Sequence, residues 1–245
     1  MLKPTCDRKT KFHNSQKNTF GLYPGPKGLG TCPHATVGCG GCYEIKDGRK
    51  LPTCYVFRTM SAYKATAGVL EHNSKQIMTD SDTQLELLDA EFTRFEKAEK
   101  QREDPQLYYR LHWSGDIVDL DYACTLGEAI GRHPDITFWG YTRSLFAVPP
   151  LMDLPNLNLY ISLDRVNFEA GIKWYRSYKS PKRRLSIALM ADEEFYTEVK
   201  KKTRMKFVPC PVDRGKMPTE FACSKCRACI DPRRRKTPNP IWFEC

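Results

Sequence analysis

The sequence predicts an α/β protein: a partial (βα)6 barrel-like domain followed by a small cysteine-rich appendage. Short apolar runs alternate with longer stretches of helical periodicity from residue 107 to residue 210, as expected of parallel βαβ units. Beyond residue 210 the alternation stops, and proline, arginine and cysteine dominate. We therefore expect a barrel domain over 1–209 and an appendage over 210–245. The predicted strands can form a partial or closed barrel or an open doubly wound sheet.

The individual elements follow from local patterns. Strands are predicted for runs that are rich in β-branched and aromatic residues, at "NTFGLYPG" (18–25), "LYYRLHW" (107–113), "DITFWGYT" (135–142), "NLNLYISLD" (156–164), "RLSIALMAD" (184–192) and "MKFVPC" (205–210). Helices are predicted over 55–78, 81–103, 120–133, 166–178 and 193–202. Ser81 or Asp82 stands where a side chain caps the second of these helices.

Composition narrows the class of protein. The 245 residues are enough for one sizeable core. The polar, basic start "MLKPTCDRKTKFHNSQ" and the absence of a long apolar run predict a soluble, cytoplasmic protein with no membrane partner. Eleven cysteines, an odd number, in a chain of this size indicate metal-binding thiolates rather than a disulfide framework.

The charge indicates an anionic partner. The chain has 39 Lys and Arg against 29 Asp and Glu, a net charge of +10. Basic runs at 177–184, 200–206 and 233–236 lie in the last third of the chain and favour nucleic acid, although each run alone is equally typical of a solvated surface. No Walker loop, G-x-S-x-G, H-E-x-x-H or dinucleotide fingerprint occurs, so the activities that these motifs carry have no support.

The C-terminal cysteines are spaced for a metal cluster. Cys223, Cys226 and Cys229 follow one another at x2 spacing, and Cys210 precedes a proline thirteen residues earlier. Such a triplet with a remote Cys-Pro is typical of an iron-sulfur cluster, whereas structural zinc more often uses two separate C-x2-C pairs. We expect iron-sulfur here, with zinc as the alternative.

A second group of cysteines lies near the N-terminus, in "TCPHATVGCGGCY". Cys32, Cys39 and Cys42 provide three thiolates, which on a four-iron cluster leave one iron open to a substrate or cofactor. Cys54 could close the site instead, or His34 could do so for zinc. The spacing alone does not distinguish an open site from a closed one.

Together with "RLHWSGD", "DITFWGYTRS" and "LPNLNLYISLD", this cysteine motif resembles a bacteriophage group of three-cysteine, radical-SAM-like proteins, and more closely the phage gene product 88 family. The resemblance runs from about residue 18 to about residue 230. It differs from the usual C-x3-C-x2-C motif by a longer first gap, and Asp116 stands where radical SAM enzymes carry glutamate.

The resemblance implies a radical SAM type barrel in which Cys32, Cys39 and Cys42 hold a catalytic [4Fe-4S] cluster. Ser114, Gly115 and Asp116 would meet the amine of S-adenosylmethionine, and Thr142, Ser162 and Asp164 would line the ribose or substrate side. The C-terminal cysteines would then hold an auxiliary cluster. A helix-capping or turn-forming role explains many of the same polar residues equally well.

Two functions therefore remain open. The first is a radical-SAM-like enzyme acting on or near nucleic acid, which requires an electron donor. The alternative is a non-catalytic iron-sulfur or zinc protein that binds nucleic acid or a host protein. An open N-terminal cluster favours the enzyme, and closure by Cys54 favours the alternative.

Overall fold

The computed structural model describes residues 1–25, 30–36, 43–46, 49–52, 54–230 and 238–244. The helices are α1 (Tyr55–Ala62), α2 (Lys64–Ile77), α3 (Ser81–Lys100), α4 (Leu120–Arg132), α5 (Val148–Leu151), α6 (Phe168–Tyr178), α7 (Glu193–Thr203) and α8 (Ala222–Cys226), with a 3-10 helix at Leu145–Ala147. The strands are β1 (Tyr43–Lys46), β2 (Arg49–Pro52), β3 (Tyr108–Arg110), β4 (Thr137–Thr142), β5 (Leu157–Leu163), β6 (Leu185–Ala191), β7 (Val208–Pro209) and β8 (Ile241–Glu244).

Six strands form one parallel sheet that curls into a half-barrel, in the order β3-β4-β5-β6-β8-β7. An extended segment, residues 18–22, runs beside β3: Arg110 N donates to Asn18 O (2.9 Å) and Leu22 N to Ser114 O (2.8 Å). Because consecutive βα units add parallel strands side by side, the carboxyl ends of β3 to β6 meet along one edge of the sheet. β1 and β2 pair separately as an antiparallel hairpin.

Alternate residues of each strand face two different layers. Leu157, Leu159, Ile161 and Leu163 of β5 face the helices and are at most 2% exposed, within the main hydrophobic core. The opposite side of the sheet, which we call the inner face, packs Tyr160 of β5 against cysteine-bearing segments of the C-terminal region. The sequences of the strands are nearly continuous apolar runs because both faces of the sheet are covered.

The predicted alternation of strands and helices from 107 to 210 is confirmed, with differences at the ends. Asp80, rather than Ser81 or Asp82, caps α3, since its carboxylate accepts from Thr83 N at 2.9 Å. The predicted helix over 55–78 is divided at Tyr63, whose backbone is extended. The predicted domain boundary at residue 210 falls between β7 and β8, which pair with each other in the sheet.

None of the helices within the described ranges is both long and apolar enough to cross a membrane.

His112 follows β3 and is buried as a neutral side chain. Its Nε2 lies 2.7 Å from the Tyr122 hydroxyl, and burial lowers the pKa of His112 to about 3. Because the unfolded chain protonates this histidine below about pH 6.5 while the folded protein does not, the free energy of unfolding falls as the pH falls through that value.

We expect His112→Gln to reduce the pH dependence of stability. Between about pH 7 and pH 5 the wild type should lose about 2 kcal/mol more unfolding free energy than this variant. Urea unfolding at both pH values measures the difference. His72→Gln, which changes a histidine on α2, serves as the control and should behave like the wild type. An equal loss in all three proteins would contradict the neutral, buried state of His112.

Candidate functional site at the strand ends and inner face

The segment that carries Cys32 lies across the carboxyl edge of the sheet. Asp116 N donates to Thr31 O at 2.8 Å, which ties the segment to the turn after β3. Four residues beyond Cys32, the Thr36 hydroxyl donates to the carboxylate of Asp164 at the end of β5. Cys32 is therefore held over the strand ends, where α/β barrels gather functional groups. Cys39 and Cys42 lie outside the described residues.

The turn Ser114–Gly115–Asp116 is bonded within the protein. The Ser114 hydroxyl donates to Leu22 O at 2.7 Å. Asp116 accepts from Thr142 Oγ1 (2.6 Å), Ile117 N (2.7 Å) and the backbone N of Arg143 (2.8 Å). These bonds fill three of the roughly four acceptor positions of the carboxylate. Burial raises the pKa of Asp116 above its ordinary value, while these bonds favour the charged form.

Gly115 is required by both conformation and space. Its φ is +82°, and a Cβ there would lie 2.5 Å from Thr31 Oγ1 and 2.6 Å from Leu22 Cβ. We expect Gly115→Ala to lower the unfolding free energy by about 3 kcal/mol. The matched control is Gly68→Ala, inside α2 with no atom within 4 Å of the added Cβ, which should stabilise by about 0.5–1 kcal/mol. Equal urea midpoints for Gly115→Ala and the wild type would refute this reading of the turn.

A buried ion pair connects the ends of β4 and β5. Arg143 Nη1 lies 3.0 Å from Asp164 Oδ2, and both side chains are about 5% exposed. The guanidinium also contacts the sulfur of Met190 on β6 at 3.2 Å. Asp164 in turn accepts from Val166 N at 2.9 Å, so it opens the turn before α6. Ser162, half-buried on the same strand, contributes its carbonyl oxygen, which accepts from Asn167 Nδ2 at 3.0 Å.

The residues predicted to contact S-adenosylmethionine or the substrate therefore form two groups. Ser114, Gly115, Asp116 and Thr142 lie together at the turn after β3. Asp164 and the carbonyl of Ser162 lie around Arg143, whose backbone N bonds Asp116. Arg143 thus joins the groups, although the sequence reasoning did not single it out. Its position immediately after Thr142 at a strand end was the available signal.

The C-terminal cysteines lie in one region of the protein, and Cys210 and Cys229 belong to the cluster at the inner face. The thiol of Cys229 interacts electrostatically with those of Cys210, Cys223 and Cys226, and hydrogen-bonds the Tyr141 side chain. Cys210 is anchored through its backbone N, which donates to Trp242 O of β8 at 2.8 Å. The segment is sealed to the sheet by the Asn158 side chain, which donates to Ile230 O at 2.6 Å.

Two cations lie beside these thiols, and neither was predicted from the sequence. Cys223 N donates to Lys9 O at 2.9 Å, so the N-terminal segment runs along the cysteine segment. The Lys9 ammonium pairs with Asp213 at 3.3 Å, and Arg110 Nη1 pairs with Asp7 at 2.8 Å. Arg110 Nε is buried and has no hydrogen-bond partner among the described residues. An unpaired buried donor costs about 1–3 kcal/mol, which an anionic group at this position would offset.

The donor set fits a thiophilic metal centre. Burial raises the pKa of the Cys223 thiol to about 12 and that of Cys229 well above its ordinary value, while Arg110 and Lys9 act in the opposite direction on Cys223. A bound metal would lower the pKa of these thiols and hold them as thiolates. Such an anionic centre would compensate the buried Arg110 Nε, which has no hydrogen-bond partner among the described residues. In the described parts of the chain, no three or more His, Cys, Asp or Glu side chains are already placed to hold a single metal ion.

The other candidate ligands lie on other segments of the chain. Cys54 precedes α1, and the ring of His34 packs 5.5 Å from the ring of Phe146. Cys6 and Cys124 are exposed, and Cys245 lies outside the described residues. The eight described cysteines form no disulfide with one another.

Phage proteins and a family model match this chain. The chain is 31% identical to the Gene 88 protein of Mycobacterium phage L5 over 256 aligned residues, covering 95% of each chain. It is 32% identical to the Gene 88 protein of Mycobacterium phage D29, covering 69% of this chain and 70% of that protein. No solved structure matches. The family model described as Gene product 88 matches residues 3–232, so the chain belongs to the gene product 88 family of phage proteins.

Proposed function

We propose that this chain is an iron-sulfur protein of the radical-SAM-like type. Cys32, Cys39 and Cys42 would hold a [4Fe-4S] cluster with one open iron, and the four C-terminal cysteines would hold an auxiliary cluster. The observation that carries the proposal is the proximity of Cys229, at the inner face of a parallel half-barrel, to Cys210, Cys223 and Cys226. The Cys32 segment lies across the strand ends of the same sheet.

Residues of the chain would bind and orient S-adenosylmethionine and would exclude water from it. Cys32, Cys39 and Cys42 would hold the cluster, which when reduced would supply the electron for reductive cleavage of a sulfonium C–S bond of S-adenosylmethionine and so for hydrogen abstraction from a substrate C–H bond. Asp116 keeps about one acceptor position for the SAM amine, and the Ser114 hydroxyl can still accept a bond. The Thr36–Asp164–Arg143 contacts would hold the cysteine segment against the strand ends. The apolar lining of the inner face would keep water from the reacting atoms.

A second function is supported by the internal bonding of the same polar residues. Thr142 donates to Asp116, and Asp164 accepts from Thr36 and pairs with Arg143. Each therefore has a structural role without any cofactor. This favours a non-catalytic iron-sulfur or zinc protein in which the metals hold the cysteine segments in place.

Electron paramagnetic resonance (EPR) of the dithionite-reduced protein, with and without SAM, distinguishes these functions. The enzyme proposal predicts that SAM perturbs the wild-type signal. It also predicts that a Cys32→Ala, Cys39→Ala, Cys42→Ala variant keeps only a signal that SAM does not affect. A wild-type iron signal that is indifferent to SAM would overturn the enzyme proposal in favour of the second function.

A further inference from the structure

Charge is distributed unevenly over the helical side of the half-barrel. Residues 80–135, which include α3 and α4, contain fourteen Asp or Glu and six Lys or Arg. Residues 165–206, which include α6 and α7, contain five Asp or Glu and twelve Lys or Arg. The excess positive charge of the chain is therefore concentrated on the α6 and α7 side.

The two helices that carry much of this charge are in contact. The Phe168 and Phe195 rings pack 5.6 Å apart, so α6 and α7 are in contact. The Lys202 ammonium at the end of α7 pairs with Glu169 in the first turn of α6. Lys201 is the residue before Lys202 in α7. Lys173 lies about one helical turn after Glu169 in α6. We call the exposed cations Lys173, Arg176, Lys179, Lys200 and Lys201 the basic flank.

Ion pairs within the protein do not account for these cations, although the Lys200 ammonium lies 6.0 Å from the centroid of the Tyr196 ring. Arg165, Arg183 and Lys202 are held by Asp or Glu partners. Among the described residues, the five cations of the basic flank have no such partner within 4.0 Å. The helix dipole favours lysines in the last turn of α7, but it gives no reason for Lys173 in the middle of α6.

The surroundings of the basic flank favour a polyanion over a protein or lipid partner. Val166 is the one large apolar side chain of the described residues that is exposed beside it. Protein interfaces have an apolar centre, and membrane-surface helices insert apolar side chains. Phosphate backbones, in contrast, are bound by Lys and Arg through charge alone, with release of counterions.

We propose that the basic flank binds the phosphate backbone of nucleic acid. Binding through it depends on salt and not on base sequence, because Lys and Arg side chains bind phosphate oxygens by charge. The acidic side of α3 and α4 repels the same backbone, so the nucleic acid lies along α6 and α7. This inference does not depend on the proposed metal chemistry.

The test measures fluorescence anisotropy of two labelled probes of arbitrary sequence, a short DNA duplex and a single-stranded RNA, with rising NaCl. The variants are Lys173→Gln with Arg176→Gln, and Lys200→Gln with Lys201→Gln. The matched control is Lys75→Gln with Lys97→Gln, which removes the same charge from exposed positions on α2 and α3. Iron content and melting temperature of each protein show whether the metal and the fold are retained.

We expect the wild type to bind at least one probe. Each flank variant should weaken binding about tenfold and lower the salt slope by about 1–2, whereas the control should not. Failure of the wild type to bind either probe would overturn the proposal. So would equal weakening by flank and control variants. Salt-sensitive self-association without probe binding would assign the flank to a second copy of the chain instead.

Discussion

Replacing Cys223 and Cys226 with serine is expected to remove about half of the iron bound by the anaerobically purified protein. These thiols lie near Cys210 and Cys229, and a serine hydroxyl is a poor ligand for iron because it stays protonated. The N-terminal cysteines would keep their own cluster. Iron and sulfide analysis, together with visible absorbance, measures the loss.

The matched control changes the same number of cysteines elsewhere. Cys6→Ser with Cys124→Ser alters two exposed thiols outside both groups, and its iron content should equal that of the wild type. If the control loses as much iron as the Cys223 and Cys226 variant, or if neither loses any, the assignment of the C-terminal cysteines is wrong.

Asp164→Asn is expected to lower the free energy of unfolding by about 3–5 kcal/mol. The change removes the charge that compensates Arg143, and an unpaired buried guanidinium is costly. It also weakens the contact by which Asp164 holds Thr36 and, with it, the segment of Cys32. Since a domain is stable by about 5–15 kcal/mol in total, the urea midpoint should fall substantially.

An exposed ion pair provides the control for this prediction. Arg183 Nε lies 2.7 Å from Asp153, whose side chain is 67% exposed. Asp153→Asn should therefore leave the urea midpoint close to that of the wild type. A variant that keeps the Asp164 geometry but loses both charges, Arg143→Met with Asp164→Asn, should recover part of the loss. Equal stability of Asp164→Asn and Asp153→Asn would contradict the buried pair.

The alternation of strands and helices could be predicted because each parallel strand reads as an apolar run between turn signals. β8 could not, since "IWFE" is four residues long and follows a stretch rich in proline and arginine. Its place between β6 and β7 depends on pairing with strands far away in the chain. The β1–β2 hairpin did carry a signal, because Asp47 and Gly48 form a dipeptide typical of two-residue hairpin turns.

The sequence led to predictions for the cysteines and strand ends of the candidate site, but not for its cations. Spacing alone grouped Cys223, Cys226 and Cys229, and the resemblance to radical-SAM-like proteins implied roles for Asp116, Thr142 and Asp164 at strand ends. Lys9 reaches the thiols from the opposite end of the chain, and local patterns carry no information on such a contact. Arg110 lies on the inner face of the short strand β3. A charged residue in a sequence gives no reason to expect such a position.

Metal analysis of the full chain, purified without oxygen, is the most direct measurement of the central claim. We expect about eight irons and a matching amount of sulfide per chain, with little zinc, because two four-iron clusters would fill the two cysteine groups. Zinc without iron would contradict the iron-sulfur assignment and leave the inner-face cysteines as a zinc-stapled segment.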